Sequence, residues 1–550
     1  MSLFRTALAT LILAALLCGG CGGGGDAGVG PDGAASDGGG GHSTVDWPRW
    51  GNDAGNRHFA RLDQIDRGNV ERLRLAWSLP GPRRQIGWET FPIVVDGTMY
   101  YDTGADQVYA VDAATGRELW SYTPAVDLLA APGARPPTPV SRGVTFGAGR
   151  IYVVTGDARL IALDAESGKK LWERRVADPG SGNTMNSPGT FWRGEIVVGG
   201  PAGAAGLRGF VAAYRAGDGR PLWRRQMVPA PGSGWRRGPG SGGGDVWMPP
   251  TIEPRSGTVY VATGNPSPGF DNSDRRGCNP MSNAVVALDG ASGEVLWSRT
   301  LVCEDSWDYD TVQSPLIFGD EDGAGSGEET AVGAASKAGF YAVFDAESGK
   351  PIARTPYLTH YSRPHRRPTR EGVVVCPGIY GGLEYGPPAY SPRDGLVYQP
   401  GNQMCMRYRL APRAQGILAG EDDLGGTARQ VGPATGVVAA FDPRSGAVRW
   451  QRKLPAPANG GALATAGGLV FLGEDDGWLR ALDSSDGTEL WRHRLGLRVG
   501  SAPIAYEVDG VEYVAIAAGG SLVQARGTVP TGRPRLFVFA LANETGSQGE

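Results

Sequence analysis

The sequence predicts an all-β protein, an eight-bladed β-propeller, and three observations lead to this fold class. A short phrase returns five times along the chain, Gly and Pro are abundant (88 and 41 of 550 residues), and apolar residues hardly ever recur with a helical period. Strands joined by tight turns produce this composition and pattern. Repeats of fixed design stack against one another, so we expect function where the repeats converge.

The repeated phrase is an apolar strand ending in Asp, a turn with Gly four residues later, and Trp eight residues after the Asp. Apolar and other residues alternate, the alternation breaks between the Asp and the Gly, and it then resumes, which predicts a β-hairpin. Gly supplies the positive φ of the turn, and Asp accepts hydrogen bonds from the backbone of the turn. We expect each Trp to pack between neighbouring blades. The copies are VYAVDAATGRELW (108–120), LIALDAESGKKLW (160–172), VVALDGASGEVLW (285–297), VAAFDPRSGAVRW (438–450) and LRALDSSDGTELW (479–491).

Two variants and one gap complete the count of blades. Arg215 takes the Asp place before Trp223, and Ala353 takes the Trp place in the copy with Asp345. The interval of 97 residues between Asp345 and Asp442 has room for a hidden unit, which we assign to AYSPRDGLVYQP (389–400). Eight units of about four short strands predict an eight-bladed ring. Closure is expected between the last strand, 535–541, and the first segment after Trp47.

The N-terminus predicts export. Arg5 precedes a short apolar run (7–17), and small residues lead to Cys21, as in a secretory signal. Gly19, Gly20 and Cys21 resemble a bacterial lipobox, although Cys18 replaces the usual Leu; lipidation of Cys21 and plain cleavage both stay open. We therefore divide the chain into a lipoprotein signal peptide (1–21), a Gly-rich flexible tether (22–45) and the propeller (46–545), in the periplasm or cell envelope.

Cysteine content and net charge limit the cofactors and partners that the protein could have. Cys278 and Cys303 flank one hairpin almost symmetrically, and Cys376 and Cys405 bracket the proposed hidden unit, so both pairs are candidate disulfides in an exported protein. The sequence has no CxxCH, which excludes a covalently attached haem c within it. The formal net charge of -4 gives no reason to expect nucleic acid as a partner.

Several stretches outside the repeat resemble the pyrroloquinoline quinone (PQQ)-dependent alcohol dehydrogenases. They are WPRWGNDAGNRHFARLDQIDRGNVERLRLAW (47–77), ATGNPSP (262–268), SWDYD (306–310), CPGIYGGLEYGPPAYSPRDGLVYQPGNQMCM (376–406) and NGGALATAGGLVFLG (459–473). The resemblance runs from Trp47 nearly to the end of the chain. It implies an eight-bladed propeller with PQQ and a Ca²⁺ or lanthanide ion in the central funnel, a small alcohol as substrate, and a cytochrome c or a quinone as electron acceptor.

The resemblance also assigns residues to the cofactor. PQQ is a planar tricarboxylate, so it needs an aromatic floor and cations or amides around it. Trp247 matches the stacking Trp of the family, and Lys337 matches the cation that contacts the quinone oxygens. The remaining matches to positions that contact PQQ are Glu89, Arg142, Thr184 and Asn459.

The resemblance places the catalytic base and two metal ligands in the stretch SWDYD (306–310). Asp308 matches the catalytic base of the family, which takes the hydroxyl proton while hydride leaves the alcohol carbon. Asp310, two residues later and on the same side of an extended segment, matches the extra carboxylate of lanthanide-using members. Asn265 matches an amide ligand, so the predicted metal ligands are Asn265, Asp308 and Asp310. Oxygen ligands of this kind suit a hard cation.

Departures from the family fall within the site. Ala204 stands where the family has a metal-binding Glu, and ARPPTPV (134–140) replaces a neighbouring pair of cysteines. Asp245 stands in place of a Thr, and Glu384 and Tyr385 in place of Asn-Trp. The added carboxylates either repel PQQ or bind the cation, and the sequence does not decide which.

Two functions from different classes are therefore carried forward. The first is an exported quinoprotein dehydrogenase that oxidises an alcohol or a sugar-like hydroxyl. The second is a non-catalytic propeller lipoprotein, a binding or envelope-assembly scaffold. Retention of Trp247, Lys337 and Asp308 favours the enzyme, whereas Ala204 favours the scaffold.

Overall fold

The computed structural model describes residues 44–82, 88–126, 140–201, 206–229, 242–319, 330–362, 367–412, 424–520 and 532–542. Within these ranges the chain forms eight sheets of four or five strands, which confirms the all-β, eight-bladed propeller. Only two single-turn 3₁₀ helices, Val70–Arg72 and Pro179–Ser181, interrupt the strands of this described part. None of its helices is long or apolar enough to span a bilayer. The signal segment, Cys21, Ala204 and 134–139 lie outside the described residues.

The first strands of the chain are β1 (Thr44–Val45), β2 (Phe59–Ala60) and β3 (Leu73–Pro80), which join the last two blades. Blade 1 is β4 (Ile93–Val95), β5 (Thr98–Asp102), β6 (Val108–Asp112) and β7 (Glu118–Tyr122). Blade 2 is β8 (Thr145–Gly147), β9 (Arg150–Val154), β10 (Arg159–Asp164) and β11 (Lys170–Arg175). Blade 3 is β12 (Thr190–Trp192), β13 (Glu195–Gly200), β14 (Phe210–Arg215) and β15 (Pro221–Gln226). Blade 4 is β16 (Thr251–Ile252), β17 (Thr258–Ala262), β18 (Ala284–Asp289) and β19 (Val295–Thr300).

Blade 5 is β20 (Thr311–Phe318), β21 (Ala331–Ser336), β22 (Phe340–Asp345) and β23 (Pro351–Arg354). Blade 6 is β24 (Val373–Val375), β25 (Ala389–Ser391), β26 (Leu396–Leu410), β27 (Gly426–Phe441) and β28 (Val448–Leu454). Blade 7 is β29 (Ala462–Thr465), β30 (Leu469–Gly473), β31 (Trp478–Asp483) and β32 (Glu489–Arg494), with β2 beside β29. Blade 8 is β33 (Ile504–Val508), β34 (Val511–Ala518) and β35 (Arg535–Leu541), completed by β1 and β3.

The hidden unit is not a blade of its own, so that part of the sequence prediction is wrong. Residues 389–400 contribute β25 and the start of β26, and β26 pairs with β27 in the same sheet as the repeat copy at 438–450. The wide interval before Asp442 arises because β26 and β27 have 15 and 16 residues and form one long hairpin. The eighth blade is the closing one, whose hairpin lacks the repeated phrase.

Closure of the ring follows the sequence prediction. The last strand, β35, pairs antiparallel with β3, from Leu73 opposite Leu541 to Pro80 opposite Arg535. The N-terminal strand β1 pairs with β33 on the other side of the same blade. Ordered pairing at Thr44 and Val45 places the start of the propeller two residues before the boundary predicted at 46.

The repeated Trp joins five of the blades to the blade that follows. The indole N–H of Trp120 donates to the carbonyl of Ala165, the residue directly after the Asp of the next copy, over 2.9 Å. Trp172, Trp223, Trp297 and Trp450 make the equivalent bond to the following blade, over 2.7–3.0 Å. Each of these rings also covers the turn Gly of the neighbouring copy. The phrase therefore specifies both a hairpin and its contact with the next hairpin.

Both candidate disulfides are present. Cys278 is bonded to Cys303 and Cys376 to Cys405, each pair with its Cα atoms 4.3 Å apart. The first fixes the loops around blade 4, and the second fastens the segment after β24 to the long strand β26. Both confirm the pairings expected from the spacing of the cysteines.

Gly168 tests the Trp contact. Its φ is +68°, and a Cβ there would lie 2.5 Å from Cε3 of Trp120. Gly168→Ala should cost about 1–2 kcal/mol for the left-handed backbone and a further ~1–3 kcal/mol for overpacking, measured by urea unfolding. Gly194→Ala is the control, because Gly194 has φ +81° but no atom within 4 Å of its Cβ position. Equal losses in the two variants would show that the ring contact contributes nothing.

Glu512 should make the stability of blade 8, which closes the ring, depend on pH. Its Oε2 accepts the N–H of Ile65 over 2.9 Å, and its own N–H donates to Gln64. Burial raises the pKa of Glu512 to about 7, against the lowering effect of the backbone N–H groups. The fold therefore prefers the neutral acid, and this stabilisation is lost as pH rises from the unfolded pKa of about 4.3 through 7.

Unfolding free energies measured between pH 4 and pH 8 should show this effect. Glu512→Gln should gain stability relative to the wild type as pH rises through that window. The exposed Glu347→Gln should follow the wild-type curve. A difference between Glu512→Gln and the wild type that is constant with pH would contradict the assignment.

Candidate active site

The predicted site residues lie on equivalent segments of different blades. Glu89, Arg142 and Trp247 each lie a few residues before the innermost strand of a blade (β4, β8 and β16). Asn265 and Lys337 follow the second strand of blades 4 and 5. In an antiparallel blade the first strand begins where the second ends, so both kinds of segment reach the same face of the ring near its axis. The repeat architecture therefore brings together residues far apart in sequence.

Arg142 lies near the axis of the ring, where it contacts residues from other blades. Its guanidinium lies 5.2 Å from the ring centroid of Trp247 in blade 4 and 5.0 Å from that of Tyr385 before blade 6. Blades 2 and 6 are diametrically opposed in a ring of eight, so contact between Arg142 and Tyr385 places both at the hub. Arg142 also pairs with Glu89 over 2.8 Å, with 4% and 0% of the two side chains exposed.

An apolar plug lies beside this group. Trp50, Phe91, Met248, Tyr385 and Ala502 form a buried cluster, against which the partly exposed ring of Trp247 packs. The plug gives the Trp247 ring a buried apolar support. A flat, supported aromatic surface near the axis is thus available to a planar ligand.

Lys337 is held between the two predicted carboxylates. Its Nζ lies 3.0 Å from Asp308 Oδ2 and 2.8 Å from Asp310 Oδ2. Burial opposes the charged ammonium, but the two carboxylates outweigh it and raise the pKa of Lys337 well above its usual value. The ammonium also lies 5.8 Å from the Trp247 centroid, so the lysine links the carboxylates to the aromatic surface.

Asn265 and Asp310 are joined through the backbone. The main-chain N–H of Asn265 donates to Asp310 Oδ1 over 2.6 Å, and 5% of each residue is exposed. Burial raises the pKa of Asp310 to about 7, although Lys337 acts in the opposite direction. Asp308 has a positive φ of 65°, an uncommon conformation that turns the chain between Trp307 and Tyr309.

Two carboxyls treated in the sequence as departures belong to the same cluster. Burial, followed by the charges of Asp310 and Asp308, raises the pKa of Asp245 well above its usual value. Burial likewise raises the pKa of Glu384 to about 8, partly offset by Lys337. Lys337 thus interacts with Asp308, Asp310 and Glu384, and Asp245 lies near the two aspartates, so this cluster of four carboxyl groups holds an excess of potential negative charge.

The other two predicted contacts, Asn459 and Thr184, also lie before the first strand of a blade. Asn459, before β29, is fully buried, and its Oδ1 accepts from the amide of Asn402 over 2.6 Å. Its amide also lowers the pKa of Asp475, which burial raises to about 7 and Glu89 raises further. Thr184 is half-buried before β12, two residues from Asn186, whose carbonyl accepts the Arg142 main-chain N–H.

The sequence analysis missed Asp475, Asn402 and Asn186 as site residues. Asp475 occupies the position after the second strand of blade 7 that Asn265 and Lys337 occupy in their own blades. Aligning the blades strand by strand would therefore have identified Asp475 from the sequence. Asn402 carries no such signal, because it lies within the long strand β26.

The polar groups fit an additional ligand. Among the described residues, Arg142 Nε, Asn186 Oδ1, Asp245 Oδ1 and Glu384 Oε1 are buried without a hydrogen-bond partner. Buried polar atoms are normally satisfied, so this grouping indicates that a ligand with donors and acceptors completes the site. The described residues include no ready-made group of three His, Cys, Asp or Glu side chains that holds a metal. The ammonium of Lys337 neutralises Asp308 and Asp310 instead.

Comparison with known proteins decides the family. The model of the PQQ β-propeller domain, described as glucose/ethanol/alcohol dehydrogenase, matches residues 47–359. The chain belongs to the PQQ-dependent alcohol dehydrogenase family. A second model, outer membrane protein assembly factor BamB, matches residues 434–528 only.

Relatives and solved structures of this quinoprotein family cover nearly the whole chain. The quinohemoprotein alcohol dehydrogenase of Comamonas testosteroni is 32% identical, over 91% of this chain and 77% of its own. A lanthanide-dependent methanol dehydrogenase of Methylacidiphilum fumariolicum is 31% identical, over 86% and 84%. The crystal structure of the Comamonas enzyme has a TM-score of 0.79 (29% identity, 92% and 82% covered), and a europium-containing methanol dehydrogenase also has 0.79 (27%, 90% and 98%).

The buried pair of Glu89 and Arg142 offers a test of the hub of this quinoprotein. Removing one partner leaves an uncompensated buried charge, so Glu89→Gln and Arg142→Met should each lose about 3–5 kcal/mol of unfolding free energy. The double variant should lose less than the sum. Arg215→Met, at an ion pair with Asp218 in which both side chains are about half exposed, is the control and should lose much less stability than either variant at the hub, because water screens the pair. Strict additivity in the double variant would show that the two side chains do not interact.

Proposed function

We propose that this protein is an exported PQQ-dependent dehydrogenase that oxidises the hydroxyl of an alcohol. The observation that carries the proposal is the position of Asp308, half-buried beside Lys337 and within the same hub cluster as the Trp247 surface. The hydrogen bond from Lys337 fixes the orientation of this carboxylate, as a general base requires. PQQ, when bound, supplies the electrophilic quinone carbonyl that accepts hydride.

The protein residues would divide the work as follows. Trp247 would support the planar cofactor, while Arg142, Thr184 and Asn459, with Glu89 orienting Arg142, would surround its polar edge. Lys337 would donate hydrogen bonds to the quinone oxygens from the point where it now contacts Asp308 and Asp310. Asp308 would take the hydroxyl proton of the substrate, a step worth about 100-fold to 10000-fold in rate.

A hard cation would be held by Asn265, Asp308 and Asp310. The excess of carboxyl groups over cations supports this role, because a bound cation would stabilise charges that burial now disfavours. Asp245 and Glu384 lie in the same cluster, and we propose that they compensate for the Glu that Ala204 replaces. A Ca²⁺ or lanthanide ion suits this all-oxygen set.

The scaffold alternative is less well supported. A binding platform has no need for three buried carboxyl groups, Asp245, Asp310 and Glu384, in one cluster at its hub, since such burial costs stability. The BamB model matches only residues 434–528, which exclude Trp247, Asp308 and Lys337. Delivery to the periplasm or cell envelope through a lipid on Cys21, and electron transfer to a cytochrome c or a quinone, are parts of the proposal.

Reconstitution tests the function. The purified protein should show a shifted absorption of PQQ when PQQ and Ca²⁺ or a lanthanide are added, and should then reduce a dye in the presence of an alcohol. Asp308→Asn should lower this turnover by about 100-fold to 10000-fold while PQQ absorption persists. Asp486→Asn, at an exposed turn, is the matched control. If PQQ does not bind, the enzyme proposal is lost and the scaffold alternative gains support.

A further inference from the structure

A cavity of about 390 Å³ lies beside the segment that carries Asp308. Trp307 and Tyr309, the residues on either side of Asp308, line this cavity, whereas Asp308 and Lys337 do not. Its volume falls within the range of small-molecule sites, roughly 300–1,000 Å³. Strands β22 and β23 of blade 5 also contribute to the lining, so we call it the blade 5 cavity. It is separate from the hub cluster.

Aromatic side chains form much of the lining of the blade 5 cavity, namely Trp307, Tyr309, Phe340, Tyr357 and Tyr361. The rings of Tyr357 and Tyr361 are stacked, with centroids 3.8 Å apart and planes at 4°. Phe340 meets Tyr357 edge-on at 5.9 Å. Tyr357 is 39% exposed, so this aromatic surface is accessible from solvent. Rings placed in this way offer faces and edges to the ring of a ligand.

Arg354 brings a positive charge to the blade 5 cavity. Its guanidinium carbon lies 3.8 Å from the ring centroid of Phe340 and 4.9 Å from that of Tyr357. No residue in the described part of the chain forms a hydrogen bond or an ion pair with this guanidinium. Because the N–H groups of arginine form a planar fork that matches a carboxylate, Arg354 is suited to bind one.

Two acidic residues also line the cavity, and neither neutralises Arg354. Asp305 is buried, and its two carboxylate oxygens accept the main-chain N–H groups of Trp307 and Tyr309, each over 3.0 Å. These bonds occupy the Asp305 carboxylate within its own loop. Glu304 is exposed, where water screens its charge. The guanidinium therefore stays available to an anion that enters the cavity.

The walls of the blade 5 cavity are fixed by bonds between distant parts of the chain. Cys303, in the wall from blade 4, is held by its disulfide with Cys278. The N–H of Leu358 donates to the carbonyl of Gly339 over 2.7 Å, which ties the segment that carries Tyr357 to the turn before β22. A pre-formed site binds its ligand with little cost for ordering the protein.

We propose that the blade 5 cavity binds an aromatic carboxylate, at a site distinct from that of alcohol oxidation. Arg354 receives the carboxylate, and the ring of the ligand packs against the aromatic walls formed by Tyr361 and Trp307. An aromatic amine would bring its ammonium close to the guanidinium, and a small aliphatic acid would leave the aromatic walls unused. The inference goes beyond the proposed function, because this site needs neither PQQ nor a metal ion.

The experiment is titration calorimetry of the full-length protein with benzoate, acetate and benzylamine, and we expect benzoate to bind most tightly. Arg354→Met should weaken benzoate binding by about 10-fold or more, because it removes hydrogen bonds to a charged group while much of the stem still covers Phe340. Glu304→Gln should slightly strengthen benzoate binding, because it removes a like charge. Arg494→Met is the matched control and should change nothing. Arg494 is also exposed, ends the outer strand β32 and lies 5.5 Å from the Trp478 centroid.

Repeating the titration with PQQ and Ca²⁺ present separates the blade 5 cavity from the hub, where a planar acid could also bind. The affinity for benzoate should not change. Loss of benzoate binding when PQQ is present would place the benzoate at the hub and overturn the proposal. Tighter binding of benzylamine, no binding of benzoate, or equal affinities in Arg354→Met and Arg494→Met would overturn it as well. If PQQ itself does not bind, the proposed function fails, and the comparison of these two variants still decides the cavity.

Discussion

Closure of the ring by β3 and β35 is the constraint on which the rest of the structure depends. Only a closed ring makes the first strands of eight blades begin around one axis, and only then do blades 2 and 6 meet through Arg142 and Tyr385. The indole bonds from one blade to the next maintain the same spacing around the ring. The site is therefore a product of global geometry, since no single blade holds more than a few of its groups.

The hub that this geometry creates is electrostatically demanding. Lys337 interacts with Asp308, Asp310 and Glu384, and Asp245 lies near the two aspartates. Such an arrangement is costly in an isolated protein, and it is the kind of cost that proteins carry at functional sites. A planar anionic cofactor and a hard cation would supply the groups that the buried polar atoms lack, and membership of the PQQ-dependent alcohol dehydrogenase family agrees with that requirement.

The long hairpin of blade 6 adds a local feature to the common ring. By extending β26 and β27, the chain carries Leu424 over to the loop of blade 4 and the segment before blade 5. The contacts of this hairpin with Phe270 and Trp307 bring apolar side chains next to the segment that carries Asp308.

The sequence by itself determined the hairpins of seven blades, the strand that closes the ring, and both disulfides, because each depends on local spacing or on a repeated phrase. Its resemblance to the family also identified Trp247, Lys337 and Asp308, which the structure brings together at the hub. It misplaced the eighth blade, since the length of β26 and β27 is set by pairing between distant residues rather than by any local pattern. Only the tertiary structure showed that Asp245 and Glu384 share a cluster with Asp310, and that Asp475 lies beside Asn459. Those contacts join residues of different blades, and their distances depend on how the whole ring closes.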